Sequence, residues 1–245
     1  MTNDDVPVGR VLSRREAVAM LGATGAALLA GVSFRPPTAE ARLPHGLSCV
    51  ARPEQMEGPY FVDERLNRSD IRPDPANGQR RPGAPLALTL LVARVTGSEC
   101  RPLPGAQLDL WQCDAEGVYS DVQDPRFNTK GQKFLRGYQV TSDRGEVRFL
   151  TLYPGWYQGR TVHLHFKIRT EPAAQRGFEF TSQLYFDDAL TDRVHASGPY
   201  ASKGQSRTRN HQDGIFRRGG EQLMLATTES GGTYSASFAI GLQMT

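Results

Sequence analysis

No apolar segment of this chain is long or hydrophobic enough to make a convincing permanent membrane span. The best, Ala17 to Phe34, runs 18 residues without charge but includes three glycines and is only mildly hydrophobic. Charge of one sign is not in excess either. The 29 Lys and Arg stand against 26 Asp and Glu, a net charge of +3, which gives no argument for nucleic acid or an anionic membrane surface as partner. Local basic groups such as Arg80-Arg81, Arg207 with Arg209, and Arg217-Arg218 read as solvated loops. Cysteine is scarce, three in 245 residues, and none of Cys49, Cys100 and Cys113 has metal-ligand spacing to another or to the histidine pair discussed below. In an exported protein the expectation is one disulfide and one free thiol, with the pairing open. Helical periodicity is lacking beyond a short turn near Asp187 to Val194, there is no internal repeat, and nothing calls for a second domain.

Ser13-Arg14-Arg15-Glu16 precedes the uncharged stretch, and Ala39-Glu40-Ala41 follows it with the small-x-small form of a cleavage site. Residues 1–41 therefore read as a twin-arginine export signal, and the mature chain, from about Arg42, as a periplasmic or extracellular protein delivered by the twin-arginine export machinery. A general secretory signal or an uncleaved anchor is the alternative. No cysteine follows the apolar run, which argues against a lipoprotein. Removing residues 1–41 takes away four basic and four acidic residues, so the charge stays at +3.

Residues 42–84 are rich in Pro, Arg and Asn and poor in periodic pattern, and read as an extended N-terminal arm. Its apolar anchors are Glu57-Gly58-Pro59-Tyr60-Phe61 and Arg68-Ser69-Asp70-Ile71. Residues 85–245 read as short strands between turn signals: Leu86 to Val95, Ala106 to Gln112, Gly137 to Thr141, Glu146 to Thr151, Thr161 to Arg169, Phe180 to Phe186, Leu223 to Thr228 and Thr233 to Ile240. Ser142-Asp143-Arg144-Gly145 suits a hairpin connection. This spacing predicts an all-β, immunoglobulin-like β-sandwich with function on its loops.

In Thr161-Val162-His163-Leu164-His165-Phe166, the period of two puts both imidazoles on one face of a strand and Val162, Leu164 and Phe166 on the other. Two imidazoles suit iron, copper, zinc and nickel alike. Tyr157, just before the pair, and Tyr119, upstream, narrow the choice. A phenol becomes a ligand at neutral pH only when a strongly Lewis-acidic ion takes its proton, which favours a ferric centre over zinc. A lone His-x-His is as a rule a pair of satisfied polar residues. Two other readings stand beside the ferric one: a secreted β-sandwich binding module whose His pair is vestigial or holds copper, and a zinc or copper enzyme using His163 and His165 with a carboxylate.

Six pieces taken in order resemble the intradiol ring-cleavage dioxygenases, which include catechol 1,2-dioxygenase and protocatechuate 3,4-dioxygenase. They are Glu57-Gly58-Pro59-Tyr60; Cys100-Arg101-Pro102-Leu103-Pro104-Gly105-Ala106; Leu110-Trp111-Gln112-Cys113-Asp114 with Gly117-Val118-Tyr119-Ser120; Arg136-Gly137; Pro154-Gly155-Trp156-Tyr157; and Arg160-Thr161-Val162-His163-Leu164-His165-Phe166. The family usually has Pro-Ala where this chain has Thr161-Val162, a departure that leaves both histidines in place.

The resemblance implies a mononuclear non-haem Fe(III) held by Tyr119, Tyr157, His163 and His165, with Tyr157 and His165 axial. It implies a catechol-type diol bound in place of Tyr157, and cleavage with O2 between the two hydroxylated carbons to a cis,cis-muconate. Arg160 matches the family's arginine that stabilises negative charge on the ring, although three residues before His163 on a regular strand it would face away. Gln183, Pro59 and Tyr60 are candidates for the pocket wall, and a homo-oligomer is compatible with the family. His45, His195 and His211 fall outside the matched pieces.

Overall fold

The computed structural model describes residues 50–97, 99–172 and 177–244. The export signal expected over residues 1–41, and Cys49, lie outside the described residues. Two sheets face each other, as the strand spacing predicts. One runs β10 (Thr227–Ser230), β11 (Thr233–Gln243), β1 (Pro85–Thr96) and β2 (Glu99–Pro102), with β7 (Glu146–Leu152) also pairing β1. The other runs β6 (Arg136–Val140), β3 (Gln107–Trp111), β8 (His163–Arg169) and β9 (Glu179–Tyr185). A two-stranded ribbon, β4 (Gln123–Asp124) and β5 (Phe127–Asn128), sits beside them, and one helix, α1 (Asp188–His195), follows β9.

The core lies between the sheets, built by period-two alternation. Leu86, Leu88, Leu90 and Val92 of β1, with Ala236, Phe238, Ile240 and Leu242 of β11, meet Leu108 and Leu110 of β3 and Leu164, Phe166 and Ile168 of β8. Each such large side chain fully buried contributes roughly 1.5–3 kcal/mol. β1 and β11 are parallel neighbours, so the chain has to leave this sheet, build the other and return.

That route corrects one expectation. Ser142 to Gly145 does form a tight turn, with the Gly145 N–H donating to the Ser142 carbonyl at 2.7 Å. The strands on either side do not pair, however: β6 pairs β3 and β7 pairs β1. The turn carries the chain from one sheet to the other. Residue 223 also ends a 3-10 turn, Gly220–Leu223, and the strand expected from there starts at Thr227. The helix near Asp187 is present, capped by the Asp187 side chain accepting from the Leu190 N–H at 2.8 Å. Cys100 is in a disulfide and Cys113 is a buried free thiol.

Residues 50–84 contain no named strand. They follow the sandwich through isolated bridges, Ala51 to Gly241, Asn67 to Tyr138 and Asp70 to Leu150, and they place Ile71 in the core, fully buried. No helix among the described residues is long and apolar enough to cross a membrane.

Candidate metal centre

β8 begins at His163. Because its even-numbered residues fill the core, His163 and His165 emerge on the outer face of the sheet, where the surrounding loops leave them 2% and 1% exposed. Their cross-strand partners share that face: Trp111 and Gln183 stand opposite His165, and Tyr185 stands opposite His163. The site is thus on a strand face under a roof of loops, and the loops supply the tyrosines.

The nitrogen geometry leaves few choices of tautomer. His163 Nδ1 lies 2.6 Å from the Thr161 carbonyl, a contact only an N–H makes, so Nε2 presents its lone pair. Facing that lone pair are the Tyr157 hydroxyl at 3.1 Å, His165 Nε2 at 3.0 Å and an Arg160 nitrogen at 3.4 Å. Burial pushes both imidazoles well below their usual pKa, with Arg160 adding to the effect on His163, and His163 then Arg160 adding on His165. Both rings are therefore neutral, the form that binds a cation. His165 Nδ1 and the Tyr119 hydroxyl are buried with no hydrogen-bond partner. A buried hydroxyl left without a partner costs about 1–3 kcal/mol, which an ion bound at that oxygen removes.

The phenols fit the same reading. Burial pushes Tyr157 up to about 12 against the pull of Arg160, and burial, then Tyr157, pushes Tyr119 well above its usual value. Neither loses its proton at neutral pH unless a strongly Lewis-acidic ion displaces it. Among the described residues no group of three His, Cys, Asp or Glu side chains gathers as a metal site, so no carboxylate there gathers with the two histidines, whereas two imidazoles with two phenols suit a hard ferric ion. The residues present fit the group that the sequence implies.

Two loops deliver the tyrosines, and glycine lets them touch. A Cβ on Gly117 would stand 2.2 Å from the Trp156 carbonyl oxygen, and one on Gly155 would stand 2.3 Å from that of Ala115, so neither position admits a side chain. Lys203 closes the pair of loops, its ammonium donating to the carbonyls of Glu116 and Trp156. Tyr119 is fully buried, while Tyr157 is half-buried at the mouth.

Arg160 reaches the site because the strand starts after it. Its Nε donates to Asp213 Oδ2 at 2.8 Å and another nitrogen to Gln183 Oε1 at 2.5 Å. Burial works to lower its pKa, and Tyr157 and Asp213 more than reverse this, so the guanidinium is charged. Gln183 is held by its own amide donating to the Met56 carbonyl at 3.0 Å, and Tyr185 donates to its oxygen at 3.0 Å. Thr161, where the family usually has proline, donates its N–H to Asp213 Oδ2 at 2.8 Å and its hydroxyl to Asn210 Oδ1 at 2.6 Å. A proline there could make neither bond.

Tyr60 stacks on Tyr119, ring centroids 4.4 Å apart, meets Tyr157 edge-on and donates to Asp124 Oδ2 at 2.7 Å. Pro59 is exposed in the turn that delivers it. Arg136 ties this turn to the Tyr119 loop, donating to the Tyr60 carbonyl at 2.9 Å and the Ser120 hydroxyl at 2.8 Å. The structure thus brings together Tyr119, Tyr157, His163, His165, Arg160, Gln183 and Tyr60.

Sequence reasoning missed Asp213, Tyr185, Trp111 and Lys203. Trp111 stacks on His165 with centroids 5.0 Å apart and planes 9° apart. It stood inside a matched piece, and its cross-strand position opposite His165 was the available signal. Asp213 stood in no motif. His195, which the sequence left without a role, packs on Tyr200 away from the site, its Nε2 lying 3.0 Å from the Pro154 carbonyl.

Comparison with known proteins bears on the family. The family model described as Dioxygenase matches residues 56–212, which span every residue of the site except Asp213. Catechol 1,2-dioxygenase of Candida albicans is 43% identical over 67 residues, 26% of this chain and 20% of that protein. Catechol 1,2-dioxygenase 1 of Acinetobacter lwoffii is 26% identical over 178 residues, 62% of this chain and 54% of that one. The chain therefore spans at most about half the length of these curated relatives. An intradiol ring-cleavage dioxygenase from Tetranychus urticae superposes with a TM-score of 0.68 at 30% identity, covering 80% of this chain and 95% of that one. With the sandwich, the ordered motifs and the match over 56–212 in agreement, the chain belongs to the intradiol ring-cleavage dioxygenase family.

Proposed function

We propose that this protein is an exported, mononuclear non-haem Fe(III) dioxygenase that cleaves catechol-type diols between the two hydroxylated carbons with O2, giving cis,cis-muconate-type products. One observation carries the reading: two imidazoles and two phenols converge in one cluster, and the buried Tyr119 hydroxyl there makes no hydrogen bond. Tyr119, Tyr157, His163 and His165 would hold the iron, which when bound supplies the Lewis acidity that ionises the diol and the electronic access to O2.

The chain's own residues divide the remaining work. Tyr119, walled by Tyr60 and fully buried, is fixed. Tyr157, half-buried at the mouth, is the phenol able to swing aside, its oxygen taking up the proton of one diol hydroxyl. Arg160, charged and braced by Asp213 and Gln183, faces the place where negative charge builds on the substrate ring. Trp111 keeps the His165 ring in plane, and Tyr60 with Gln183 bounds the space left for the diol. The Arg14-Arg15 signal would deliver the folded, metal-loaded protein across the membrane.

The test is O2 uptake and product identification with iron-loaded protein and a panel of catechols. Muconate-type products with both oxygen atoms from O2 support the reading. A yellow 2-hydroxymuconic semialdehyde, formed by cleavage beside the diol, contradicts it.

A further inference from the structure

The turn that carries Tyr157 has one fixed end and one free end. Trp156 is the fixed end. Its indole N–H donates to the Gly204 carbonyl at 2.8 Å, its backbone carbonyl accepts from the Lys203 ammonium, and that ammonium lies 4.7 Å from the centroid of its ring. One residue earlier, the Gly155 N–H donates to the Asp114 carbonyl at 3.1 Å and so joins this turn to the Tyr119 loop. Gly159 is the free end. At a φ of 87° it has no atom within 4 Å of where a Cβ would stand, and the Arg160 N–H reaches the Tyr157 carbonyl only at a long 3.4 Å.

Lys203 reaches both tyrosine loops from a third element. It follows the 3-10 turn Gly198–Tyr200, and its backbone N–H donates to the Tyr200 carbonyl at 3.1 Å. Tyr200 is buried, its hydroxyl donating to the Tyr153 carbonyl at 2.7 Å and accepting from the Ala84 N–H at 3.0 Å, so Lys203 stands on a rigid base. From there the ammonium donates to the Glu116 carbonyl, three residues before Tyr119, and to the Trp156 carbonyl, one residue before Tyr157. Gly117 makes room for it, since a Cβ there would stand 2.5 Å from Nζ. The two loops do not depend on this tie equally. The Tyr119 loop braces itself, with Asp114 Oδ1 accepting from the Glu116 N–H at 3.0 Å and the Val118 N–H at 2.9 Å, whereas Trp156 is held by Lys203 and Gly204, both outside its own loop.

We propose that Lys203 is a positioning residue for the two tyrosines and the anchor of a hinge: it holds Trp156 in place, so that Tyr157 swings aside on Gly159 when the diol enters and returns to the same position beside Tyr119. This rests on the ferric reading above and assigns the part of the chain that sets the place of the departing phenol. A primary ammonium suits the task. It carries three donors on a flexible stem and serves two carbonyls from different loops at once, through charge-assisted bonds that are roughly twice as strong as neutral ones.

The test uses Lys203→Met, which keeps the length of the stem and loses the donors. In the metal-free protein, amide exchange at Gly155, whose N–H spans the two loops, should quicken about tenfold relative to the amides of β1 and β8. In the iron-loaded protein at equal iron content, the phenolate charge-transfer band of Lys203→Met should move towards that of Tyr157→Phe and away from that of Tyr119→Phe, because the tie lies one residue from Tyr157 and three from Tyr119. Iron should bind roughly tenfold more weakly in chelator competition. Unchanged relative exchange at Gly155, or a wild-type band in Lys203→Met, overturns the positioning role, whatever the melting temperature does. Should Lys203→Met fail to fold, Trp156→Phe removes only the indole bond to Gly204 and keeps a ring beside the ammonium; its band should shift the same way by a smaller amount, and a wild-type band there overturns the hinge. If the wild-type protein binds iron without any such band, the ferric reading falls and the positioning role falls with it.

Discussion

Replacing Asp213 by Asn alters a side chain by little more than one atom, yet it should be among the costliest substitutions in the molecule. The carboxylate is fully buried. Oδ2 accepts from Arg160 Nε at 2.8 Å and the Thr161 N–H at 2.8 Å; Oδ1 accepts from the Ile215 N–H at 2.7 Å and the Phe216 N–H at 3.0 Å. All four partners are donors, and an amide offers only one accepting oxygen. Whichever way the new amide turns, its NH2 faces two N–H groups that lose their acceptor, and Arg160 keeps its charge without a counterion. Breaking a buried pair from one side costs about 3–5 kcal/mol, and for a domain of this size each kcal/mol moves the Tm by roughly 2–4 °C. A fall of roughly 10 °C follows, read by thermal or urea unfolding of the protein in the same metal state. Turnover should fall further than stability explains, because Arg160 loses its brace. A loss below about 1 kcal/mol would refute the assignment of Asp213 as the anchor of this turn.

Three other outcomes are expected. Trp111→Leu removes the stacked neighbour of the His165 ring, whose Nδ1 has no hydrogen bond, and should weaken iron binding about tenfold in chelator competition, whereas Trp111→Phe should keep most of the affinity; equal affinities of the wild type and the leucine variant would sink the idea. His195 is 1% exposed and burial lowers its pKa below the usual value, so below about pH 6.5 the unfolded chain binds a proton that the folded one refuses. Stability should therefore drop with falling pH by up to about 1.4 kcal/mol per pH unit from this group, and His195→Asn should flatten the slope; an unchanged slope in denaturant titrations contradicts it. Replacing Arg14 and Arg15 by Lys should leave precursor in the cytoplasm on fractionation, and undiminished export would remove the twin-arginine assignment.

Much of the fold was legible because its strands are apolar or alternating runs set between turn signals. The observed bounds of β1, β3, β7, β8 and β9 fall within two residues of those expected. Pairing was not legible: Ser142 to Gly145 has hairpin chemistry, and nothing local says that β6 and β7 enter different sheets. In the site, His163, His165 and the two tyrosines sit in motifs short enough to see. Arg160 could not be aimed from spacing alone, since its orientation depends on where β8 starts. Asp213 was invisible because it lies 53 residues from Arg160 in a segment without pattern, and a buried carboxylate is recognised only by the donors the fold brings to it. The Thr161-Val162 departure was visible but mute until Asp213 and Asn210 appeared beside Thr161.

The visible spectrum of the iron-loaded protein, with its Tyr119→Phe and Tyr157→Phe variants at equal iron content, tests the central claim most directly. Phenolate bound to Fe(III) gives a charge-transfer band, so the wild type should be red to brown, and each variant removes one phenolate while leaving the ring volume nearly unchanged. Tyr119→Phe should bind iron more weakly, because that oxygen is buried without another partner; Tyr157→Phe should retain more iron and shift the band. If the protein binds iron without such a band, or both variants keep the wild-type spectrum, the tyrosines are not ligands and the ferric dioxygenase account is wrong.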